Sequence, residues 1–182
     1  PHIAKLIEVA ESNGDLNAEQ LTEQLKALDE DKLMLALMSL GPVPSPSIER
    51  LFTALRRSLL FASDTESIIS GASNFFVALA NQAFLTEYAW QTTEDEIRRI
   101  EQLVADLDIS EASAAMLVLV ACYRPLHSFD AAPDLRARVW SEELRPLIRM
   151  QIDEPFTERE LREEIPGLTT VDDTVSRQVK AQ

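Results

Sequence analysis

NFFVALANQAFLTEYAW, residues 74–90, is the stretch on which the fold turns. Phe75, Phe76, Leu79 and Ala83 recur at helical spacing, and no strand-like alternation of apolar and polar residues interrupts them. The same run carries Asn81, Gln82 and Glu87 among five aromatic rings. Amides and carboxylates are costly in an apolar core unless they are hydrogen-bonded. These polar residues therefore imply either a network that fixes the register of packed helices, or an exposed groove where Phe84, Tyr88 and Trp90 contact a partner. A helix through the stretch puts Asn81, Leu85 and Tyr88 on adjacent turns and brings Phe84 and Tyr88 together at i, i+4. A deeply buried Glu87 would need a cation, with Arg56 or Arg57 the expected partner.

Helical periodicity spreads outward in both directions. Upstream, Asp64 or Thr65 is expected to start one long helix whose inner face carries Ile68, Ile69, Ala72, Phe75, Phe76, Leu79 and Ala83. Before it, Ile48, Leu51, Phe52, Leu55 and Leu59 form a stripe, with Glu49, Arg50, Arg56 and Arg57 largely off it. Ser45 suits the cap of that helix and Pro46 its first turn. The prolines of GPVPSPS, residues 41–47, forbid helix and favour a stiff connector. Leu21, Leu25 and Leu28 line a helix that Asn17 can cap, and Leu33, Leu37 and Leu40 continue the pattern to Gly41.

Downstream, TTEDEIRRIEQLVADLD, residues 92–108, specifies its own start. Thr93 and Glu96 match a capping box, three acidic residues complement the helix dipole, and Ile97, Ile100, Val104 and Leu107 form the stripe. Runs such as Glu94–Glu96 and Glu163–Glu164 read as solvated helix ends. Ser110 is expected to cap the apolar helix AAMLVLVAC, residues 114–122, which Pro125 ends. Leu135 and Val139 suggest a helix through Trp140, and Pro146 a kink. Thr157 with Glu160 suggests a second capping box, for a helix ending before Pro166–Gly167. Val171–Gln182 reads as a further helix. The expected fold is all-α, an irregular bundle of roughly eight to ten helices with no sheet. Residues 1–47 form an N-terminal helical piece with its connector, and 48–182 the main helical domain, together one compact unit.

Composition limits what such a fold does. The 182 residues are ample for a core, and 46 % hydrophobic with 26 % charged residues is the ordinary globular mix. A net charge of −14 opposes partners that present phosphate backbones or anionic lipid. The longest apolar run, Ala114 to Tyr123, falls well short of the ~20 residues of a membrane span. Opening on Pro1, the chain reads as a fragment of a longer polypeptide. Cys122 is the only cysteine, so a reducing, cytoplasmic setting is expected.

Catalytic chemistry finds little footing in these residues. Cys122, His127 and Asp130 lie close in sequence, but Cys122 belongs to an apolar helix where a thiolate is disfavoured. A hydrolase using Cys122 and His127 is thus the weakest of three readings. Two histidines and one cysteine do not make a zinc site, and no calcium loop is present. No glycine-rich phosphate turn appears either. No catalytic, cofactor-binding or metal residues are assigned.

NQAFLTEYAW, residues 81–90, resembles a recurrent segment of bacterial proteins that join tetratricopeptide repeats to a class I S-adenosylmethionine-dependent methyltransferase domain. IERLFTALRRSLL, residues 48–60, resembles the helix those proteins carry just upstream. IPGLTTVDDTVSRQVKAQ, residues 165–182, resembles their segment entering the methyltransferase, which in the family continues into a Tyr-Glu-rich, Asn-Pro-Tyr-Pro sequence. Order and spacing agree over most of 48–182 and only vaguely over 1–47. Ala83 and Thr86 depart from the family, which more often has cysteine and asparagine there. The resemblance implies that this chain lies between a repeat array and a methyltransferase. The S-adenosylmethionine site would then fall beyond residue 182. This implies a non-catalytic scaffold that orients the methyltransferase, with Val171–Gln182 as the mechanical joint. The alternative is an interaction adaptor for a partner helix or peptide. In either case Asn81, Gln82, Phe84, Glu87, Tyr88 and Trp90 are the candidate docking residues.

Overall fold

A computed structural model describes residues 6–8, 10, 17 and 21–164. The expected Val171–Gln182 helix and the Ile165–Gln182 resemblance lie outside the described residues, as does His2. Among the described residues there are ten α-helices and no strand, so the protein is all-α.

The centre of the molecule is the NFFVALANQAFL run. It forms α5 (Ser73–Leu85), which packs against the helices Thr22–Glu30, Lys32–Leu40, Thr65–Gly71, Ala114–Ala121 and Arg145–Ile148 and the π-helical segment Arg149–Asp153. The outer helices are α1 (Thr22–Glu30), α2 (Lys32–Leu40), α3 (Pro46–Leu60) and α4 (Thr65–Gly71), all preceding α5 (Ser73–Leu85). After it come α6 (Glu94–Asp106), α7 (Ala114–Ala121), a 3₁₀ turn at Leu126–Ser128, α8 (Ala132–Ala137) and α9 (Arg145–Ile148). A π-helical segment, Arg149–Asp153, joins α9 to α10 (Glu154–Glu164). A helix apolar on all sides must be enclosed. Phe75, Phe76, Val77, Leu79, Ala80 and Ala83 of α5 are accordingly all buried. The core they anchor runs unbroken from Leu6 to Ile152.

Several expectations change at this level. The long helix from Thr65 breaks at Ala72 into α4 and α5, which meet at 102°. No side chain of its own caps α5. Asp29 of α1 does so from a distance, accepting from the Phe75 N–H at 2.8 Å and from Asn74 Nδ2 at 3.0 Å. Helix α1 begins at Thr22 with Leu21 in the cap position. Ser45 and Pro46 hold the expected positions at the start of α3, but the Ser45 hydroxyl makes no cap bond.

The stripe expected on α2 is reversed. Met34 and Met38 face inward, while Leu33, Leu37 and Leu40 are 82 %, 43 % and 86 % exposed. Apolar residues occupy both faces of this helix, and periodicity alone cannot choose between them.

Ser113 rather than Ser110 caps α7, accepting from the Met116 N–H. α8 stops at Ala137, leaving Val139 exposed, while Trp140 Nε1 donates back to the Leu135 carbonyl at 2.8 Å. Pro146 occupies the first turn of α9 and produces no kink, because the residues before Arg145 are not helical. α10 runs on from the π segment, so Thr157 lies inside it and heads no capping box. No single helix among the described residues is long and apolar enough to cross a membrane. α4 and α5 pass that test only together and are sharply bent.

Candidate functional site

The six candidate residues fall at the C-terminal end of α5 and in the chain leaving it, and each takes a different role. Gln82 is buried and clasps the proline-rich connector. Its Nε2 donates to the carbonyls of Met38 (2.6 Å) and Gly41 (2.7 Å), and its Oε1 accepts from the Val43 N–H at 3.0 Å. One amide thereby satisfies three backbone groups that no helix or strand would pair. Asn81, also buried, donates weakly to the Pro146 carbonyl at 3.4 Å and leaves its own Oδ1 without a partner.

Among the described residues Glu87 pairs with no arginine. It is exposed, and with Tyr88 it adopts left-handed backbone, φ 52° and 57°. The hydrogen bonds explain this. The Tyr88 N–H donates to the Ala83 carbonyl at 2.8 Å and the Glu87 N–H to Phe84 at 2.9 Å. Those 6→1 and 5→2 bonds close a Schellman motif in which Glu87 takes the place usually held by glycine.

The turn aims Tyr88 inward. Its hydroxyl donates to the Ala121 carbonyl (3.2 Å) and lies 3.3 Å from Gln151 Oε1, while its ring meets Phe84 edge-on at 6.4 Å. Gln151 is buried in the π-helical segment, where the widened turn presents its amide to three elements at once. It donates to Ala80 (3.1 Å) and Ala121 (3.4 Å) and accepts from the Leu126 N–H at 3.3 Å. Periodicity carried no hint of Gln151, because its neighbours on the sequence are ordinary helix formers.

Trp90 is core. Its ring packs 5.8 Å from Phe52 and 5.7 Å from the Arg56 guanidinium. Beside it lies a charged cluster that periodicity does not foretell, since the sequence puts Arg56 off the buried stripe of α3 and Glu96 among the solvated residues. Both are fully buried. Arg56 Nη1 donates to the Cys122 carbonyl (3.4 Å), and Nη2 donates to the Gln91 carbonyl and Thr92 Oγ1 (both 3.0 Å). The guanidinium stacks 4.3 Å from the Tyr123 ring and stands 3.7 Å from Glu96.

Glu96 completes the expected capping box with Thr93 and also accepts from the Tyr123 hydroxyl (2.9 Å) and Arg57 Nε (3.2 Å). Burial disfavours its charge. The hydrogen bonds from Thr93 and Tyr123, with the Arg56 cation, outweigh burial and hold its carboxyl below the usual carboxylate range.

This arrangement joins helices. Burial pushes the Cys122 thiol up to about 12, so it is protonated at neutral pH. Burial likewise raises the Tyr88 and Tyr123 phenols above their ordinary range. The His127 ring stands edge-on to Phe84 at 5.9 Å. Among the described residues no group of three or more His, Cys, Asp or Glu is arranged to hold a metal. A surface cleft of about 310 Å³ lies elsewhere, where α4 meets α6 and α7, lined by Asp64, Glu66, Arg99 and Met116 among others.

The structure thus brings Asn81, Gln82, Tyr88 and Trp90 inward, each against different partners, leaves Phe84 half-buried and turns Glu87 outward. No protein-family model, no curated protein and no solved structure matches this chain.

Proposed function

We propose that this chain is a non-catalytic helical scaffold that positions a S-adenosylmethionine-dependent methyltransferase domain within a longer, bacterial, cytoplasmic polypeptide. The observation that carries this reading is α10. None of its residues is buried, and from Thr157 to Glu164 it is exposed on every side. Phe156 packs the first turn against the core, and beyond it a helix exposed all round serves as a bridge between bodies rather than as part of a core. It is stiffened by the Arg162–Glu158 pair and tied to α8 by Arg136, which reaches Asp153 before it and Glu160 midway along it. A rod of this kind, leading towards the Ile165–Gln182 segment that resembles the methyltransferase entry, sets direction and spacing.

The buried polar side chains support the same reading. Gln82, Gln151 and the Arg56–Glu96 cluster are spent on holding helices together. Calorimetric titration of residues 1–182 with S-adenosylmethionine tests the proposal. The expected result is no heat of binding; micromolar affinity would overturn it.

A second reading, an adaptor for a partner helix, is favoured by one observation: the exposed leucines of α2.

A further inference from the structure

A helix that is apolar on its outer face as well as its inner one is expected to be covered on both. α2 meets that description. Met34 and Met38 fill the core, while Leu33, Leu37 and Leu40 share the outer face at i, i+4 and i+7, with exposed Ala36 beside them. No charged residue occurs between Lys32 and Glu49, so beyond Lys32 at its start this face carries no charge of its own. Depletion of charge around large aliphatic side chains marks the centre of an interface.

Two considerations select the occupant. The first is size. The exposed face of nine-residue α2 measures about 14 Å by 10 Å. That footprint is one helix long and one helix wide, the shape of a helix-in-groove contact. The second is charge. A second copy would bring another −14 against the −14 already present, whereas a cationic segment is attracted.

We propose that the Leu33–Leu37–Leu40 face of α2 is a docking site for a single amphipathic helix of a partner protein, apolar on one face and basic at its flanks. This deepens the adaptor reading and does not depend on the scaffold reading.

The test uses the chain with Leu33→Glu and Leu40→Glu together. Both side chains point into solvent, so circular dichroism and the unfolding midpoint are expected to hold. The probe is an 18-residue helical peptide with a leucine face and lysine flanks, compared with the same peptide carrying glutamate flanks. Fluorescence anisotropy should show saturable binding of the lysine peptide, at least tenfold weaker binding to the double variant, and weaker binding of the glutamate peptide. The two added carboxylates make this decisive. Mere adsorption of a cationic peptide to an acidic protein would strengthen in the variant, and that result overturns the site while leaving the adaptor reading open. No binding of the lysine peptide also overturns the site. A dimer of the unsubstituted chain in sedimentation that the double variant abolishes would assign the face to a second copy, against the proposal.

Discussion

Two junctions in this molecule solve the same problem with different chemistry. At the Gln82 clasp, a neutral amide reaches out of α5 and satisfies Met38, Gly41 and Val43, binding the proline connector to the core. At the start of α6, a full ion pair is buried. Arg56 and Glu96 lie 3.7 Å apart and are surrounded by Thr92, Thr93, Tyr123 and backbone carbonyls. A buried pair gains little over an apolar substitute of the same shape, but breaking it strands a charge. The amide strands only polar groups. The difference teaches that cost on mutation and net contribution to stability are separate quantities, and that only one junction responds to pH.

The largest effect is expected at the charged one. Arg56→Met removes the cation while Glu96 stays buried, and should destabilise the fold by about 3 kcal/mol in urea unfolding with an unchanged slope. Arg57 continues to reach Glu96 and tempers the loss. A cost below about 1 kcal/mol would mean that the cluster is not desolvated as a unit. Acid sharpens the contrast. The Glu96 carboxyl titrates below its ordinary 4.5 in the folded state, so its contribution is complete above that value and is lost as pH falls through the folded one. The gap in stability between the unsubstituted chain and Glu96→Gln should therefore be constant near neutrality and narrow below about pH 4.5.

The neutral clasp should show no such dependence. Gln82→Met keeps the volume but leaves two carbonyls and an N–H without partners where the connector leaves α2, at a cost of about 2 kcal/mol. That loss is expected to be equal at pH 4 and pH 7. Hydrogen exchange at Val43, the amide Gln82 holds, should rise first.

These same residues show what the amino-acid order reveals. The start of α6 was legible because Thr93 and Glu96 stand three apart and cap each other locally. The second role of Glu96 was not, since its partners Arg56 and Arg57 come from α3, about forty residues away, and nothing local distinguishes it from Glu94 or Asp95. The polar character of Asn81 and Gln82 pointed either to a register-fixing network or to an exposed groove, and both side chains are buried. Which backbone Gln82 would clasp depended on where the connector folds back. On α2 the pattern misled because leucines and methionines make two competing stripes, and only contact with α5 selects the methionines. The α4–α5 break was missed because it falls at Ala72, with Asp29 of α1 supplying the missing cap from a distance.

The smallest effect expected is a gain, at Glu87. The Schellman bonds to Ala83 and Phe84 require left-handed backbone at this position, φ 52°, and a glutamate there carries a steric cost that glycine does not. Its carboxylate is exposed, so replacing it loses no buried contact. Glu87→Gly should stabilise the protein by about 0.5 kcal/mol, because relief of the left-handed strain exceeds the extra freedom glycine gives the unfolded chain. The gain is measurable as a small rise in the urea midpoint with no change in slope. Loss of stability instead would mean that the turn is held by Glu87 itself. The junction that carries Tyr88 into the core would then depend on a side chain at the surface, in contrast to both the Gln82 clasp and the Arg56 cluster, whose bonds are made in the interior.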